Sequence, residues 1–184
     1  MDPIAPMRLK FPMDRKMSRP PTRTDPVSPA DDAACHRARA LLGAARFAAL
    51  AVIDPATGTP ALSRIAFGLD ADLVPQTLIS SLSAHHAALL ATPACALMVG
   101  EPGPRGDPLT HPRLMLQAVA QFVDRNADTH LARRDHWLTG HPKSRLYVDF
   151  VDFSFVRFDV TSAFLNGGFG KAFRLSPQDL RARE

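Results

Sequence analysis

The sequence predicts a mainly β fold, a barrel of six antiparallel strands with flanking helices. Short apolar runs of strand length recur along the chain, and clusters of proline, glycine and aspartate separate most of them. Helical stretches interrupt only a few of these runs, which favours an antiparallel barrel over a parallel sheet with crossover helices. At 184 residues the chain suits one domain and a tail.

The first residues divide the chain into a tail and a domain. Residues 1–27 contain six prolines among scattered charges and show no apolar period. We therefore expect a disordered tail at 1–27 and one domain at 28–184. The first helix is predicted to begin with Ser28 as N-cap and Pro29 at the first helical position, and to end at Gly43.

A hairpin follows this helix. Residues 47–53 are an apolar run of strand length, residues 54–60 are dense in turn-forming types, and residues 61–69 are predicted to be the second strand. Alternation of side chains along this second strand places Arg64 within an otherwise apolar segment. A charge in that position is a candidate for binding a ligand.

Four further strands and two helices complete the prediction. The strands are expected at residues 77–81, 95–99, 113–123 and 153–164. One short helix is expected at residues 84–90, and a polar helix from a cap at Asn126 to about Thr139. Residues 101–112 are rich in proline and glycine and are predicted to be a long loop.

Charge and composition exclude several classes of function. The first 25 residues hold six basic and three acidic side chains, which account for three of the four net positive charges. The predicted domain is therefore nearly neutral, and we expect no nucleic-acid binding. No apolar run is long enough to span a bilayer, and no secretory signal is recognisable, so we expect no membrane role and a cytoplasmic location.

The strongest candidate site is the stretch Ser80-Ser81-Leu82-Ser83-Ala84-His85-His86 between a strand and a helix. Hydroxyls, backbone N–H groups and a helix N-terminus converge there, an arrangement that can hold a phosphate group. Arg64 on the neighbouring strand could add a bidentate contact. The alternative is that the serines only cap the short helix, and spacing alone favours that alternative. No pattern of metal ligands is present, so we predict no metal site.

Several motifs in order resemble one family. The segment Pro60-Ala-Leu-Ser-Arg64-Ile-Ala-Phe and the serine stretch resemble the paired flavin motifs of the pyridoxamine-phosphate-oxidase-like split barrels. The later segments Gly106-Asp-Pro-Leu, His141-Pro-Lys-Ser, Asp152-Phe and Asn166-Gly-Gly-Phe-Gly-Lys resemble landmarks of the haem-utilisation-like branch. The glycines of the last segment do not follow a first strand, so a turn with positive φ angles fits them better than a dinucleotide loop.

The resemblance implies a six-stranded antiparallel split β-barrel of the FMN-binding type. It also implies a homodimer with FMN bound at the interface between the two subunits. Carried over by position, the cofactor-binding residues are Arg64, Ile65, Ser80, Ser81, His85, His86 and, from the partner subunit, Arg113. If both histidines approach a phosphate, their pKa values should rise and flavin affinity should fall as the pH rises.

The implied function is that of a flavoprotein, an FMN-dependent oxidoreductase acting on a small molecule. The substrate-phosphate clamp of true pyridoxamine-phosphate oxidases has no counterpart here, so we do not expect that reaction. No side chain stands out as a catalytic acid or base. Two alternatives stay open: a haem-binding or haem-degrading protein of the same fold, with His141 or His36 as a possible axial ligand, and a non-enzymatic flavin-binding module.

Overall fold

The computed structural model describes residues 27–168 and 170–181. The predicted disordered tail at residues 1–27 therefore lies outside the described residues, except for Val27. The prediction of a single domain from residue 28 to residue 184 stays a prediction.

Nine strands in the described residues form one sheet. Neighbouring strands are antiparallel, except that β1 runs parallel to β9. The order is β1-β9-β8-β7-β6-β2-β3, and β5 pairs with both β8 and β4. The strands are β1 (Ser28–Pro29), β2 (Phe47–Ile53), β3 (Pro60–Ala66), β4 (Gly68–Leu69), β5 (Pro75–Ser80), β6 (Ala94–Val99), β7 (Arg113–Phe122), β8 (Phe153–Asn166) and β9 (Ala172–Leu175).

In the part of the chain that the structure describes, three α-helices flank the sheet: α1 (Asp32–Ala44), α2 (Ala84–Ala91) and α3 (His130–Gly140). Helix α1 covers one sheet face with a stripe of small and apolar side chains, of which Cys35, Ala38 and Leu42 are buried. Helix α3 contributes Trp137 to a second, smaller core with Val148 and Phe155. No helix in the described part of the chain is long and apolar enough to cross a membrane.

The predicted mainly β class is confirmed, and the bounds of β2 are those that the sequence indicated. The count of six strands was too low, because β1, β4 and β9 were not foreseen. The second predicted strand, residues 61–69, is interrupted at Phe67, whose side chain is fully buried and whose N–H donates to the Arg46 carbonyl. After this interruption the chain no longer pairs with β2 and continues as β4, which pairs with β5.

Two predicted helix starts were wrong. Ser28 and Pro29 pair with β9 instead of opening α1, and Asp31 is the N-cap, since its carboxylate accepts the Ala34 N–H at 2.7 Å. Asn126 is likewise not a cap: its N–H donates to the Asp124 carboxylate in a turn that precedes α3. In both cases an aspartate offered the stronger local acceptor.

A buried ion cluster joins α3 to the sheet. Asp70 is 5% exposed at its side chain, and one carboxylate oxygen lies 3.1 Å from Arg133 of α3 and 2.9 Å from Arg157 of β8. Arg133 also donates to the Gln76 side-chain carbonyl at 2.7 Å. The other Asp70 oxygen accepts the N–H groups of Asp72 and Val74, so the turn between β4 and β5 is held by the same side chain.

Replacing Asp70 should destabilise the fold strongly. The change Asp70→Asn keeps an acceptor for the turn but leaves Arg133 without its counter-charge and Arg157 with only the exposed Asp72, and we expect a loss of about 3–5 kcal/mol in the free energy of unfolding. Urea denaturation measures the loss. The matched control is Asp72→Asn, since Asp72 is 78% exposed and lies 3.7 Å from Arg157, and it should change stability by no more than about 0.5 kcal/mol. Equal effects of the two substitutions would contradict the prediction.

Candidate functional site

The candidate site lies at the corner where β5 ends and α2 begins. The Ser80 hydroxyl donates to the Asp152 carboxylate at 2.6 Å, and the Ser81 N–H donates to the Asp152 carbonyl at 2.7 Å. Asp152 is half-buried and directly precedes β8, which pairs with β5 so that Ser80 faces Phe153. The antiparallel ladder thus brings a carboxylate into the turn that was predicted to hold phosphate.

Three further donors of this turn are also engaged within the turn. The Ser80 hydroxyl oxygen accepts the Leu82 N–H at 3.1 Å. The Ser80 carbonyl accepts both the Ser83 hydroxyl at 2.7 Å and the Ser83 N–H at 3.1 Å. Ser83 occupies the N-cap position of α2, but its side chain does not cap the helix. The alternative in which the serines merely cap α2 is therefore not what the geometry shows.

His85 and His86 lie in the first turn of α2 and are half-buried. Burial lowers the pKa of His85 from its usual 6.5, and the neighbouring His86 lowers it further. Burial also lowers the pKa of His86, whose ring packs edge-on against Phe122 at a centroid distance of 4.9 Å. In the absence of a ligand both imidazoles are therefore neutral at pH 7. The rise in pKa expected beside a phosphate stays a prediction for the loaded protein.

Arg64 projects from β3 into solvent. Its side chain is 73% exposed, its guanidinium carbon lies 5.1 Å from the centre of the Phe47 ring, and one of its nitrogens lies 3.7 Å from Glu101. An ion pair this exposed holds the guanidinium only weakly. Ile65 points the other way and is buried in the core, which leaves only its backbone to a ligand.

Strand β3 runs beside β5, and the Thr77 hydroxyl donates to the Ala66 carbonyl at 2.6 Å. The neighbouring ladder pairs Gly68 with Gln76. That ladder ends at Gly68, where the strand is interrupted at Phe67, so the neighbourhood of Arg64 and Ser80 stays a prediction.

Arg113 begins β7 at the far end of the long loop. Its guanidinium donates to the Leu109 carbonyl at 3.1 Å, so within one chain it is held by its own loop. The loop in turn packs on the glycine-rich segment: Gly168 has a φ of 110°, and a Cβ there would lie 2.8 Å from the Thr110 carbonyl oxygen. The predicted positive φ angles are confirmed for Gly168 and for Gly170, whose φ is 72°, and close approach is confirmed for Gly168, whereas Gly167 has no positive φ.

Four of the other histidines already use ring atoms or lie on a helix surface. His141 stacks on Trp137 at 3.9 Å and its Nε2 bonds to the Arg46 carbonyl, while the Nε2 of His136 bonds to the Leu69 carbonyl. His111 is bonded through both nitrogens within its loop, and His36 is exposed on α1. Of the two histidines named as candidate haem ligands, His141 is therefore stacked and hydrogen-bonded, and His36 lies on the surface of α1.

Exposed apolar side chains lie in the two segments that meet at this turn. Leu82 is 88% exposed and Val151 is 91% exposed, and the bond between Ser81 and Asp152 brings their two segments together. Phe150 adds a third exposed apolar group and contacts Phe153 with its ring. We call Leu82, Phe150 and Val151 the apolar rim. Exposed apolar clusters of this kind mark binding surfaces.

Sequence reasoning missed two parts of this corner. Asp152 was noted only as a landmark of the resemblance, because 72 residues separate it from Ser80 and no local spacing joins the two. The apolar rim was missed because it combines a turn with a loop before another strand. Within the described residues no group of three or more His, Cys, Asp or Glu side chains is placed to hold a metal ion.

Comparisons with known proteins complete the description. No family model matches the chain. Residues of this chain are 36% identical over 121 positions to the non-canonical heme oxygenase HOZ, chloroplastic, of Arabidopsis thaliana. That match covers 60% of this chain and 36% of the relative, so the chain spans about a third of the length of the curated relative it matches.

Two solved structures show the fold. A heme binding protein from Mycobacterium smegmatis superposes with a TM-score of 0.72 at 23% identity, over 84% of this chain and 61% of its own. A protein from Clostridium acetobutylicum related to general stress protein 26, of the pyridoxinephosphate oxidase family, superposes with a TM-score of 0.60 at 13% identity. This second match covers 82% of this chain and 99% of the other.

The pKa of His85 tests the electrostatics of the site. The change His86→Ala removes the smaller of the two causes, so we expect the pKa of His85 to rise towards 6.5 without reaching it, because burial remains. Chemical shifts of the imidazole carbon followed against pH in ligand-free protein measure this. His36→Ala, on the surface of α1, is the control and should leave the His85 curve unchanged. A His85 pKa above 6.5 in the unaltered protein would be inconsistent with the described burial.

Proposed function

Since the chain belongs to the pyridoxamine-phosphate-oxidase-like split-barrel superfamily, in its haem-utilisation-like branch, we propose that it binds haem at the corner between β5, α2 and the start of β8. The relative from Arabidopsis is named as a heme oxygenase, and the structure from Mycobacterium as a heme binding protein. Haem breakdown is therefore the activity that we propose to test on the haem-loaded protein.

The histidine pair on α2 carries this proposal. Iron is bound by a neutral imidazole nitrogen, and both rings are neutral at pH 7 because their pKa values are lowered. Unlike His141, neither ring is bonded to a backbone carbonyl in the described chain. One of them is thus available as an axial ligand without breaking a bond to a backbone carbonyl.

The surroundings of the pair suit a porphyrin. The apolar rim offers exposed Leu82, Phe150 and Val151 for one face of the macrocycle, whose burial would be favourable. Arg64, held only by an exposed pair with Glu101, is free to bind a propionate carboxylate. The apolar rim supplies apolar contact, and Arg64 supplies one cation. Neither of these interactions requires a phosphate-binding turn.

The second candidate is a flavin cofactor, and an FMN-dependent oxidoreductase is the corresponding activity. The observation that favours it is that β3, which carries Arg64, runs beside β5, which ends at Ser80, on positions that match the flavin motifs. The isoalloxazine would supply the electron transfer, while the protein would position it and control access. The absorption spectrum of the purified protein separates a flavin from haem, and a colourless protein that takes up neither would point to a different ligand.

We further propose that β2, β3 and β5 to β8 are the six strands of the split barrel. Ladders run from β5 through β8, β7, β6 and β2 to β3. After Phe67 the chain passes from β3 into β4, which pairs with β5. The two ends of the ladder are thus brought together at this corner.

The outer face of this sheet supports a homodimer. Residues that are paired across neighbouring strands lie on the same face of the sheet. One such row of paired residues crosses four strands and consists of Arg64, Ala49, Met98 and Met115. Met98 is 47% and Met115 38% exposed, while the inward residues of the same strands are buried. Strands that are apolar on both faces are typical of sheets covered on both sides. A second copy of the chain is the proposed cover, because isologous dimers are the commonest assemblies.

Haem binding should depend on the two histidines of α2. We expect the double variant His85→Ala/His86→Ala to lose haem affinity by tenfold or more, because the axial nitrogen is removed. Titration of the apoprotein with hemin, followed at the Soret band, measures the loss.

In the unaltered protein haem should also be released as the pH falls through the lowered pKa values, since protonation removes the ligating electron pair.

The matched control for this experiment is His36→Ala, which removes an exposed imidazole from α1 and should leave the haem affinity unchanged. An unaltered affinity in the double variant would sink the assignment of the axial ligand to α2.

Dimer formation should depend on the outer sheet face. We expect the unaltered protein to have twice the 20.0 kDa mass of one chain, and Met98→Lys to be monomeric because it would bury a charge in an apolar contact. Light scattering after size exclusion measures both masses. Leu131→Lys is the control, since Leu131 is 69% exposed on α3, away from this face. A dimer that survives Met98→Lys would place the contact elsewhere.

A further inference from the structure

The turn between β5 and α2 has the sequence of an anion site, but several of its donors are already used. The Ser80 hydroxyl and the Ser81 N–H both donate to Asp152, one to its carboxylate and one to its carbonyl. The Leu82 N–H donates to the Ser80 hydroxyl oxygen, and the Ser83 hydroxyl donates to the Ser80 carbonyl. The His86 N–H donates to the Ser83 carbonyl. An anion bound to the Ser80 hydroxyl and the Ser81 N–H would have to displace the bonds to Asp152.

The group that fills this place is itself an anion. One Asp152 oxygen accepts the Ser80 hydroxyl at 2.6 Å, the length of a charge-assisted bond. A phosphate seated on the same hydroxyl would lie within a few ångströms of that carboxylate. Two like charges at such a distance repel each other, and a phosphate dianion does so twice over.

Nearby cations do not offset this charge. Arg134 is bound to Asp149 through two parallel bonds of 2.7 Å, and Arg125 donates to the Asp149 and Phe150 carbonyls. Arg64 projects from β3 into solvent and pairs weakly with Glu101 instead of with Asp152.

We propose that Asp152 is a specificity-determining residue: its carboxylate occupies the anion position of the Ser80–Ser83 turn and makes this corner reject ligands that would place a phosphate there. The ligand class that the corner accepts is then an apolar, planar group without a phosphate at this turn, such as a porphyrin or an unphosphorylated flavin. This inference deepens the proposed function, because it concerns which of the two cofactors the same corner admits, and it rests on that corner being the binding site.

The first test uses inorganic phosphate as the probe and requires no cofactor. Phosphate is titrated into the full-length protein, and the amide signals of Ser81 and Ala84 are followed by NMR. In the unaltered protein we expect no saturable shift up to tens of millimolar phosphate. The change Asp152→Asn keeps an oxygen that can accept the Ser80 hydroxyl while removing the charge, and should gain affinity for phosphate by about tenfold or more.

Asp149→Asn is the matched control, because it removes a carboxylate three residues away that is bound to Arg134 instead of Ser80. It should not gain phosphate affinity at these amides. Saturable binding of phosphate to the turn of the unaltered protein, or no gain in Asp152→Asn, would overturn the proposal. If Asp152→Asn failed to fold, the titration of the unaltered protein would still decide the question.

The second test compares FMN with riboflavin, two flavins that differ only by the phosphate. We expect the unaltered protein to bind FMN no more tightly than riboflavin, and Asp152→Asn to shift the ratio by about tenfold towards FMN. A preference for FMN of tenfold or more in the unaltered protein would overturn the role of Asp152. Haem titrations are independent of both results: failure to bind haem contradicts the proposed function and leaves the exclusion of phosphate standing.

Discussion

Strand β8 is the constraint on which the rest of the structure depends. Its 14 residues form ladders with β7 along one edge and with β5 and then β9 along the other. Val156 and Arg157 have partners in both β5 and β7, so the two parts of the sheet are joined through these positions. Because β8 is also where Arg157 meets Asp70, the same strand fixes α3 and the turn before β5. The position of Asp152, one residue before β8 begins, follows from this pairing.

The parts of the fold that the sequence predicts are those governed by local patterns. The run that became β2 alternates between buried and partly buried residues and is bounded by turn-forming types, so its limits were predicted correctly. Strand β1 was missed, since it exists through pairing with a distant segment, Ser28 with Phe173. Strand β9 and the separation of β4 from β3 were missed because both strands are short and pair with neighbouring segments across turns. Ser28 shows the competition clearly: its cap-forming sequence was overridden by a pairing with Phe173.

The same distinction separates the predicted and observed features of the site. The sequence predicts that Arg64, Ser80, Ser81, His85 and His86 lie in one neighbourhood, and β3 does run beside β5, with the Thr77 hydroxyl bonded to the Ala66 carbonyl. It could not show that an aspartate 72 residues away accepts the hydrogen bond of the Ser80 hydroxyl. A turn that looks like a phosphate site by residue type can thus have the opposite electrostatic character, because charge from another part of the chain decides it. Residue type alone does not settle which ligand such a turn can hold.

The single tryptophan of the sequence gives the protein an internal optical probe. Trp137 is 2% exposed, donates its indole N–H to the Ser144 hydroxyl at 3.2 Å, and lies parallel to the His141 ring at 3.9 Å. It also meets Phe155 of β8 edge-on at a centroid distance of 5.9 Å. Its emission therefore originates from one buried location beside the central strand. A chromophore bound at the start of β8 would quench that emission by energy transfer, so occupancy of the corner can be read without any label.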